Sequence, residues 1–221
     1  MVGSGSAWST SDGQQMLWDA ERTPVTMIAY APFMSEATPD ASLTVNALTN
    51  QSTEENVKSS DFLLMKATVD PEQDLTADGK LKISLNHAMS KLIIKITVNG
   101  TTDASMSKLG DMAINGAVVN ATCDLSAAAP VVVPAADAVV ATVAPYKGTE
   151  SCECILPPQK IAEGFSVNFS YDGKLYIWTA KEAIELEEGV EHTLTLNVNT
   201  TVRLAAKMAR NWATGQLIDR N

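Results

Sequence analysis

The stretch SVNFSYDGKLYIWTA, residues 166–180, decides the fold class of this chain. Apolar and polar residues alternate on both sides of Asp172-Gly173, a dipeptide that adopts positive φ at low cost in a tight turn. Both arms can therefore place apolar residues against one layer of a core. The residues that we expect in this layer are Phe165, Val167, Phe169, Leu175, Ile177 and Trp178. The stretch predicts an antiparallel β-hairpin.

The same alternation recurs along the chain and outnumbers helical spacing, which predicts an all-β protein. Asp78-Gly79, Asn99-Gly100 and Asn115-Gly116 supply further turns. Many short antiparallel strands joined in this way favour a β-sandwich over a parallel α/β sheet. The predicted strands are Val25–Tyr30, Ser42–Ala47, Phe62–Val69, Lys80–Leu85, Lys91–Val98, Ala113–Val119, Val131–Val133, Ala138–Val143, Cys152–Leu156, Ser166–Tyr171, Leu175–Thr179 and Thr193–Val198.

Two segments depart from this pattern. The polar stretch LTNQSTEENVKSSD, residues 48–61, predicts an exposed loop with one helical turn at Glu54–Lys58. The tail TVRLAAKMARNW, residues 201–212, fits a short helix or a strand, and periodicity alone does not choose between them.

The length of 221 residues and the hydrophobic content of 45% allow one large or two small domains. A polar stretch, DPEQDLTADG at 70–79, precedes a long apolar run, so we place a boundary near residue 78. This divides the chain into an N-terminal β domain, 1–78, and a C-terminal β-sandwich domain, 79–221. A boundary at Asn99-Gly100 is the alternative.

The charge balance bears on partners. The chain has 16 Lys and Arg against 26 Asp and Glu, a formal net charge of −10. Sequence-independent binding to phosphates needs clustered Lys and Arg, so we expect no nucleic acid partner.

Two segments bear on export and membranes. The first fifteen residues, MVGSGSAWSTSDGQQ, lack the basic start and apolar run of a secretory signal. The most apolar window, Ala127 to Pro145, is interrupted by Pro130, Pro134 and Asp137, which favours two short buried strands over a membrane span.

The cysteines and histidines are the first candidates for chemistry. Cys152 and Cys154 share one face of a predicted strand, and a pair of small strand residues is a better interpretation than a metal site or a bridge to Cys123, because metal sites usually need four ligands. His87 lies between apolar positions, which favours a structural role with a backbone hydrogen bond over general-base catalysis. His192 follows several glutamates and predicts a solvated acidic patch.

Other candidates also favour structure over catalysis. The acidic loop at 70–78 departs from a calcium-binding loop and predicts a solvated linker. The four tryptophans could stack on sugars if they are exposed, but the periodic apolar residues around them favour packing in a core or groove. They are Trp8, Trp18, Trp178 and Trp212. The sequence therefore predicts no enzyme, no cofactor and no metal site, and it does not identify the residues that contact a ligand or partner.

Several segments follow one another in a recognisable order: AYAPF (Ala29–Phe33), SDFLLMKATV (Ser60–Val69), KISLNHAMSKLIIKITV (Lys82–Val98), ILPPQKI (Ile155–Ile161) and LEEGVEHTLTLNV (Leu186–Val198). A strand and loop with Gln51 lies between the first two, and Trp212 stands late in the chain, before Gly215. This order resembles the fimbrillin and Mfa-like family of Bacteroidales, the type V pilus subunits.

The resemblance implies two β-sandwich domains of transthyretin-like, Greek-key topology, the first of them incomplete if its earliest strands are absent. It also implies a lipoprotein of the outer membrane, exported to the cell surface, that joins other fimbrial subunits by strand addition. The chain departs from the family because its first cysteine is Cys123, so it has no lipidation cysteine near its start.

The leading hypothesis is therefore a structural or adhesive subunit of a fimbria, with surface glycans or proteins of host or bacteria as further partners. The alternatives are a monomeric surface carbohydrate-binding β-sandwich module and a hydrolase with paired carboxylates. A shaft, anchor or tip role is left open.

Overall fold

The computed structural model describes residues 2–4, 7–9, 18, 21–34, 41–101, 105–198, 204–208 and 215–220. Within these residues the chain is all-β, as predicted, with helix α1 (Glu54–Ser60) and a 3-10 turn at Met106–Lys108. The strands are β1 (Val2–Ser4), β2 (Ala7–Ser9), β3 (Val25–Ala31), β4 (Ser42–Asn46), β5 (Leu63–Val69), β6 (Asn86–His87), β7 (Ser90–Val98), β8 (Leu109–Val118), β9 (Asn120–Asp124), β10 (Val132–Pro134), β11 (Val140–Val143), β12 (Tyr146–Lys147), β13 (Cys152–Leu156), β14 (Gln159–Ile161), β15 (Ser166–Tyr171), β16 (Lys174–Ala180), β17 (Ile184–Leu186), β18 (Glu191–Val198), β19 (Leu204–Met208) and β20 (Gly215–Arg220).

Ten of the described strands form one large sheet, in the order β11-β8-β15-β16-β20-β19-β18-β7-β13-β12. Neighbouring strands within this sheet are antiparallel, except that β18 and β7 run parallel from Glu191↔Lys91 to Val198↔Val98. Smaller sheets have the orders β10-β9-β4, β3-β5-β6, β14-β17 and β1-β2. The pairing of β4 with β9 joins residues 42–46 to 120–124. The division into domains near residue 78 stays a prediction.

The core follows from the alternation in the sequence. Along β18, every second side chain from His192 to Val198 is buried, and Leu194 and Leu196 are fully buried. Ile94 is also fully buried, on the parallel neighbour β7. Each such side chain contributes about 1.5–3 kcal/mol by leaving water. Apolar burial on alternate positions therefore holds the sheet against its core.

The hairpin that decides the fold is present as β15 and β16. Asp172 and Gly173 adopt φ of 52° and 78°, as a tight two-residue turn requires. This turn pairs Phe169 with Tyr176, whose rings stack with centroids 5.4 Å apart. The prediction for the second arm was wrong for Leu175 and Ile177, because this register turns both away from the buried side of Tyr176 and Trp178. Leu175 is 62% exposed and Ile177 is half-buried.

Other predicted elements differ in extent. Lys80–Leu85 forms no strand and contributes one bridge between Leu81 and Leu75, because its backbone has no continuous ladder partner among the described residues. The predicted helical turn extends to seven residues, with Thr53 Oγ1 accepting a hydrogen bond from Asn56 N as an N-cap. In the tail, Leu204–Met208 forms a strand.

Strand β8 has a bulge at Gly116, because its register with β11 passes from Ala117↔Ala141 to Asn115↔Thr142, and this bulge gives the first testable prediction. Gly116 has φ of +92°, and an added Cβ would lie 2.5 Å from the carbonyl oxygen of Gly164. We expect Gly116→Ala to lower the free energy of unfolding by about 3 kcal/mol, because positive φ and a backbone clash add together. Urea denaturation measures this loss.

Gly100→Ala is the matched control. Gly100 has φ of +80° but nothing within 4 Å of an added Cβ, so only the backbone cost of about 1 kcal/mol remains. If both variants lose the same free energy of unfolding, the close approach of Gly164 does not constrain the residue at position 116.

Candidate assembly site

The C-terminal hairpin, defined here as β19 and β20, lies in the middle of the large sheet. β19 pairs with β18 from Leu194↔Met208 to Asn197↔Ala205. β20 pairs with β16 along six residues, from Leu175↔Arg220 to Ala180↔Gly215. Strands β11-β8-β15-β16 lie on one side of the hairpin and β18-β7-β13-β12 on the other. In the described sheet, the last strands of the chain therefore connect two four-stranded halves.

The strands on either side of the C-terminal hairpin are well anchored. On β18, Leu194 and Leu196 are fully buried, and on β16 Trp178 is fully buried with its ring 6.1 Å from that of Phe165. Strands in a sheet lie about 4.8 Å apart, so removal of two strands would leave a gap of about 14 Å between β18 and β16. Two unpaired backbone edges would face each other across this gap.

A glutamine pairs with β13 at Ile155, beyond the two residues of β13 that the terminal strand β12 covers. Gln51 is fully buried, although it lies in a segment of polar sequence. Its side-chain amide donates to Ile155 O at 2.8 Å, and its Oε1 accepts from Ile155 N at 2.8 Å. The same amide also donates to Leu48 O at 2.9 Å. One side chain thus replaces a strand neighbour of Ile155.

A second glutamine repeats this arrangement at β8. Gln159 Oε1 accepts from Val118 N at 2.9 Å, and its Nε2 donates to Val118 O at 3.0 Å. In both places a side-chain amide matches the donor and the acceptor of one backbone residue, so no polar group is left unpaired there.

The opposite edge of the large sheet is less protected. β11 is its terminal strand, and Val139 just before it and Val140, its first residue, are 71% and 69% exposed. Exposed edge strands with apolar residues are where another chain can add a strand. Among the described strands, β11 therefore offers an edge that β13 does not.

The histidines differ from the sequence-based expectations. His192, predicted in a solvated patch, is buried, and its Nε2 accepts a hydrogen bond from Glu187 N at 2.9 Å. The solvated interpretation was wrong because the alternation of β18 turns His192 to the core side. His87 is exposed, and its Nδ1 lies 2.7 Å from Asp61 Oδ2. Its partner is a carboxylate and not the expected backbone group.

The cysteines are buried and free. Burial raises the pKa of the Cys152 thiol to about 11 and the pKa of the Cys154 thiol further still. Burial also raises the pKa of Cys123 to about 11. All three thiols are therefore protonated near neutral pH, where a thiol is a weak nucleophile. They pack as small apolar side chains.

The acidic loop at 70–78 satisfies its own carboxylates. Asp70 accepts from Glu72 N at 2.9 Å and from Gln73 Nε2 at 2.8 Å. Asp74 Oδ2 accepts from Asp70 N at 2.7 Å. Across the described residues, no three His, Cys, Asp or Glu side chains are placed to hold a metal ion together.

The tryptophans include one core residue. Trp178 is fully buried, so packing, as expected, accounts for it, and it offers no face to a sugar. Trp18 is half-buried and donates from Nε1 to Thr23 O at 2.8 Å. Trp212 and the side chain of Trp8 lie outside the described residues. In the described part of the chain, no helix has the length and hydropathy to cross a membrane.

Comparison with known proteins identifies a family. A family model described as fimbrillin-like matches residues 1–211, nearly the whole chain. The search of curated proteins found no match to this chain.

Solved structures share the fold. A protein from Bacteroides uniformis, described as a "putative cell adhesion protein", is 16% identical with a TM-score of 0.67, over 95% of this chain and 78% of its own. One from Bacteroides ovatus with the same description is 18% identical with a TM-score of 0.59, over 100% of this chain and 74% of its own. A fimbrial protein from Bacteroides ovatus is 17% identical with a TM-score of 0.51, over 88% of this chain and 40% of its own. At these identities the likeness concerns the fold.

Gln51 supplies the prediction for this site. Gln51→Ala removes both partners of the buried Ile155 backbone, and an unpaired buried group costs about 1–3 kcal/mol. We expect a loss of about 3 kcal/mol in the free energy of unfolding, measured by urea denaturation. Gln73→Ala is the control, since this exposed side chain bonds Asp70 alone and should cost under about 0.5 kcal/mol. Similar losses at both positions would contradict the assigned role of Gln51.

Proposed function

This chain belongs to the fimbrillin-like family, and we propose that it is a structural or adhesive subunit of a bacterial cell-surface fimbria. The observation that carries the proposal is the family match over residues 1–211. The Bacteroides structures described as cell adhesion and fimbrial proteins, which share the fold, add support. In this proposal the protein acts by binding and assembly, and its histidines and thiols serve the fold: His87 pairs with Asp61, His192 accepts from Glu187 N, and the three thiols are buried.

The proposed mode of assembly is strand addition between subunits. The C-terminal hairpin is contiguous in sequence, and it pairs on one side with β18, the strand before it, and on the other with the earlier strand β16. A hairpin with these properties can leave its own sheet and enter the equivalent gap of another copy. The acceptor then regains the backbone hydrogen bonds and apolar contacts that it lost.

The energetics favour durable contacts. An exchanged hairpin makes the same pairs with β18 and β16 as it makes within one chain, so the bonds formed offset the bonds broken. What remains is the entropic cost of association, which a high local subunit concentration lowers. A donor segment and an acceptor gap are different surfaces, so the contact is head-to-tail and extends into a filament when rotation does not close a ring.

The proposal places the protein on the cell surface, attached to the outer membrane as a lipoprotein or carried by other fimbrial subunits. Surface glycans or proteins would be contacted by the exposed parts of the subunit. The sugar-binding alternative gains no support from Trp178, because this side chain is fully buried.

A disulfide lock tests strand exchange. Thr195 and Lys207 are paired residues of β18 and β19, so Thr195→Cys with Lys207→Cys should bind the C-terminal hairpin to its own sheet. We expect the oxidised variant to stay monomeric under conditions of temperature and concentration in which the unmodified chain forms oligomers. Light scattering after gel filtration measures this, and reduction of the disulfide should restore assembly.

The control is a lock that leaves the C-terminal hairpin free. Ser170→Cys with Leu175→Cys joins β15 to β16, which are already connected by a tight turn. This variant should assemble like the unmodified chain. Oligomers of equal size from both oxidised variants would reject exchange of the C-terminal hairpin.

A further inference from the structure

A groove of about 360 Å³ lies between helix α1 and the ends of β7, β13 and β18. Its floor is apolar and consists of Val57, Met89, Ile155 and Val190. This volume lies within the range of about 300–1,000 Å³ that is usual for ligand sites, and an apolar floor with few polar groups is also usual there. The described residues that line the groove belong to α1, β6, β7, β12, β13, β18 and the turns beside them, and not to the C-terminal hairpin.

The rim of the groove carries carboxylates. Lys91 Nζ lies 2.9 Å from Glu153 and 3.4 Å from Glu191, so one lysine serves two carboxylates. Across the groove, Glu54 accepts a hydrogen bond from the Tyr146 hydroxyl at 3.1 Å and lies 3.9 Å from Lys58. Glu54 and Glu191 are 67% and 64% exposed, so both remain accessible to another molecule.

The lining therefore has an excess of negative charge. It contains four carboxylates against two lysines, and His87 is already paired with the fourth carboxylate, Asp61. Burial would lower the pKa of Lys91, but the hydrogen bonds and charges of Glu153 and Glu191 outweigh burial and raise it. The hydrogen bond and charge of Glu54 likewise raise the pKa of Tyr146. Two groups on different strands thus experience the same negative potential.

We propose that this groove binds a Lys or Arg side chain, flanked by apolar residues, on another polypeptide. Long basic side chains have an apolar stem and a charged end, and they bury the stem while the end stays near water or a counter-charge. Here the stem lies on Val57, Ile155 and Val190, and the cationic end lies between Glu54 and Glu191 at the rim. Apolar residues on either side of the basic residue cover the remaining floor.

An anionic partner fits the groove poorly. Lys91 already faces two carboxylates, so an incoming anion would meet Glu153 and Glu191 as well as the ammonium group. A basic residue instead adds a partner for the excess carboxylates and repeats the charge arrangement already present at Lys91. This complementarity selects a cationic partner.

Peptide binding tests the proposal on the full chain. The probe is acetyl-Leu-Arg-Leu-amide, and its neutral match is the same peptide with citrulline in place of arginine. Isothermal titration calorimetry should detect the arginine peptide and much weaker binding of the citrulline peptide. Binding should weaken as salt rises from about 0.02 M to about 0.5 M, because the rim charges are exposed to screening.

Variants at the rim locate the site. The double variant Glu54→Gln with Glu191→Gln should bind the arginine peptide about tenfold more weakly, since each exposed charge pair contributes up to about 1 kcal/mol. Glu72→Gln with Glu163→Gln removes two exposed carboxylates that do not line the groove and should bind like the unmodified chain. Circular dichroism of both variants confirms the fold.

Several results would overturn the proposal. Absence of binding, equal affinity for the two peptides, or equal weakening by the two double variants would remove the site from this groove. Agmatine binding as tightly as the arginine peptide would assign the groove to small amines and reject a polypeptide partner. Fimbrial assembly is measured separately with the disulfide locks, so failure of one proposal does not imply failure of the other.

Discussion

The large sheet depends on backbone pairing along its C-terminal hairpin. In the described sheet, β19 and β20 are the link between the four strands that end at β16 and the four that begin at β18. The two halves therefore form one sheet only when β19 and β20 are in place. This is a non-local requirement, since β20 pairs with a strand about forty residues earlier in the chain. Under the proposed mode of assembly, the same two strands of another copy would complete the sheet.

The edges of the large sheet differ in how far they are protected. Gln51 and Gln159 each bind the N–H and C=O of one backbone residue, so neither Ile155 nor Val118 needs another strand at that point. Val139 and Val140 at β11 have large exposed fractions instead. The groove beside α1 adds a third kind of surface, in which side-chain charge and not backbone pairing selects the partner. The proposed assembly and the proposed recognition would therefore use different parts of the molecule.

The all-β fold and most strands could be predicted because alternation and turn residues are local signals. Asp172-Gly173 located the best hairpin, yet the turn also sets the register, and counting apolar residues alone placed Leu175 on the wrong side. His192 was misjudged because adjacent glutamates suggested solvent, whereas strand alternation buries it. Gln51 gave no usable signal as an edge-closing residue, since its contact with Ile155 spans 104 positions and the neighbours of Gln51 are polar. Such long-range contacts appear only when the strands are assembled.

Native-state amide hydrogen exchange, followed by mass spectrometry on the full chain, tests the role of the C-terminal hairpin most directly. The account predicts that amides of 204–208 and 215–220 exchange together with those amides of β16 and β18 that face them. This opening should require less free energy than global unfolding, with β7 and β15 still protected. Protection of the C-terminal hairpin equal to that of β7 and β15 would contradict the claim that these last strands form an exchangeable link.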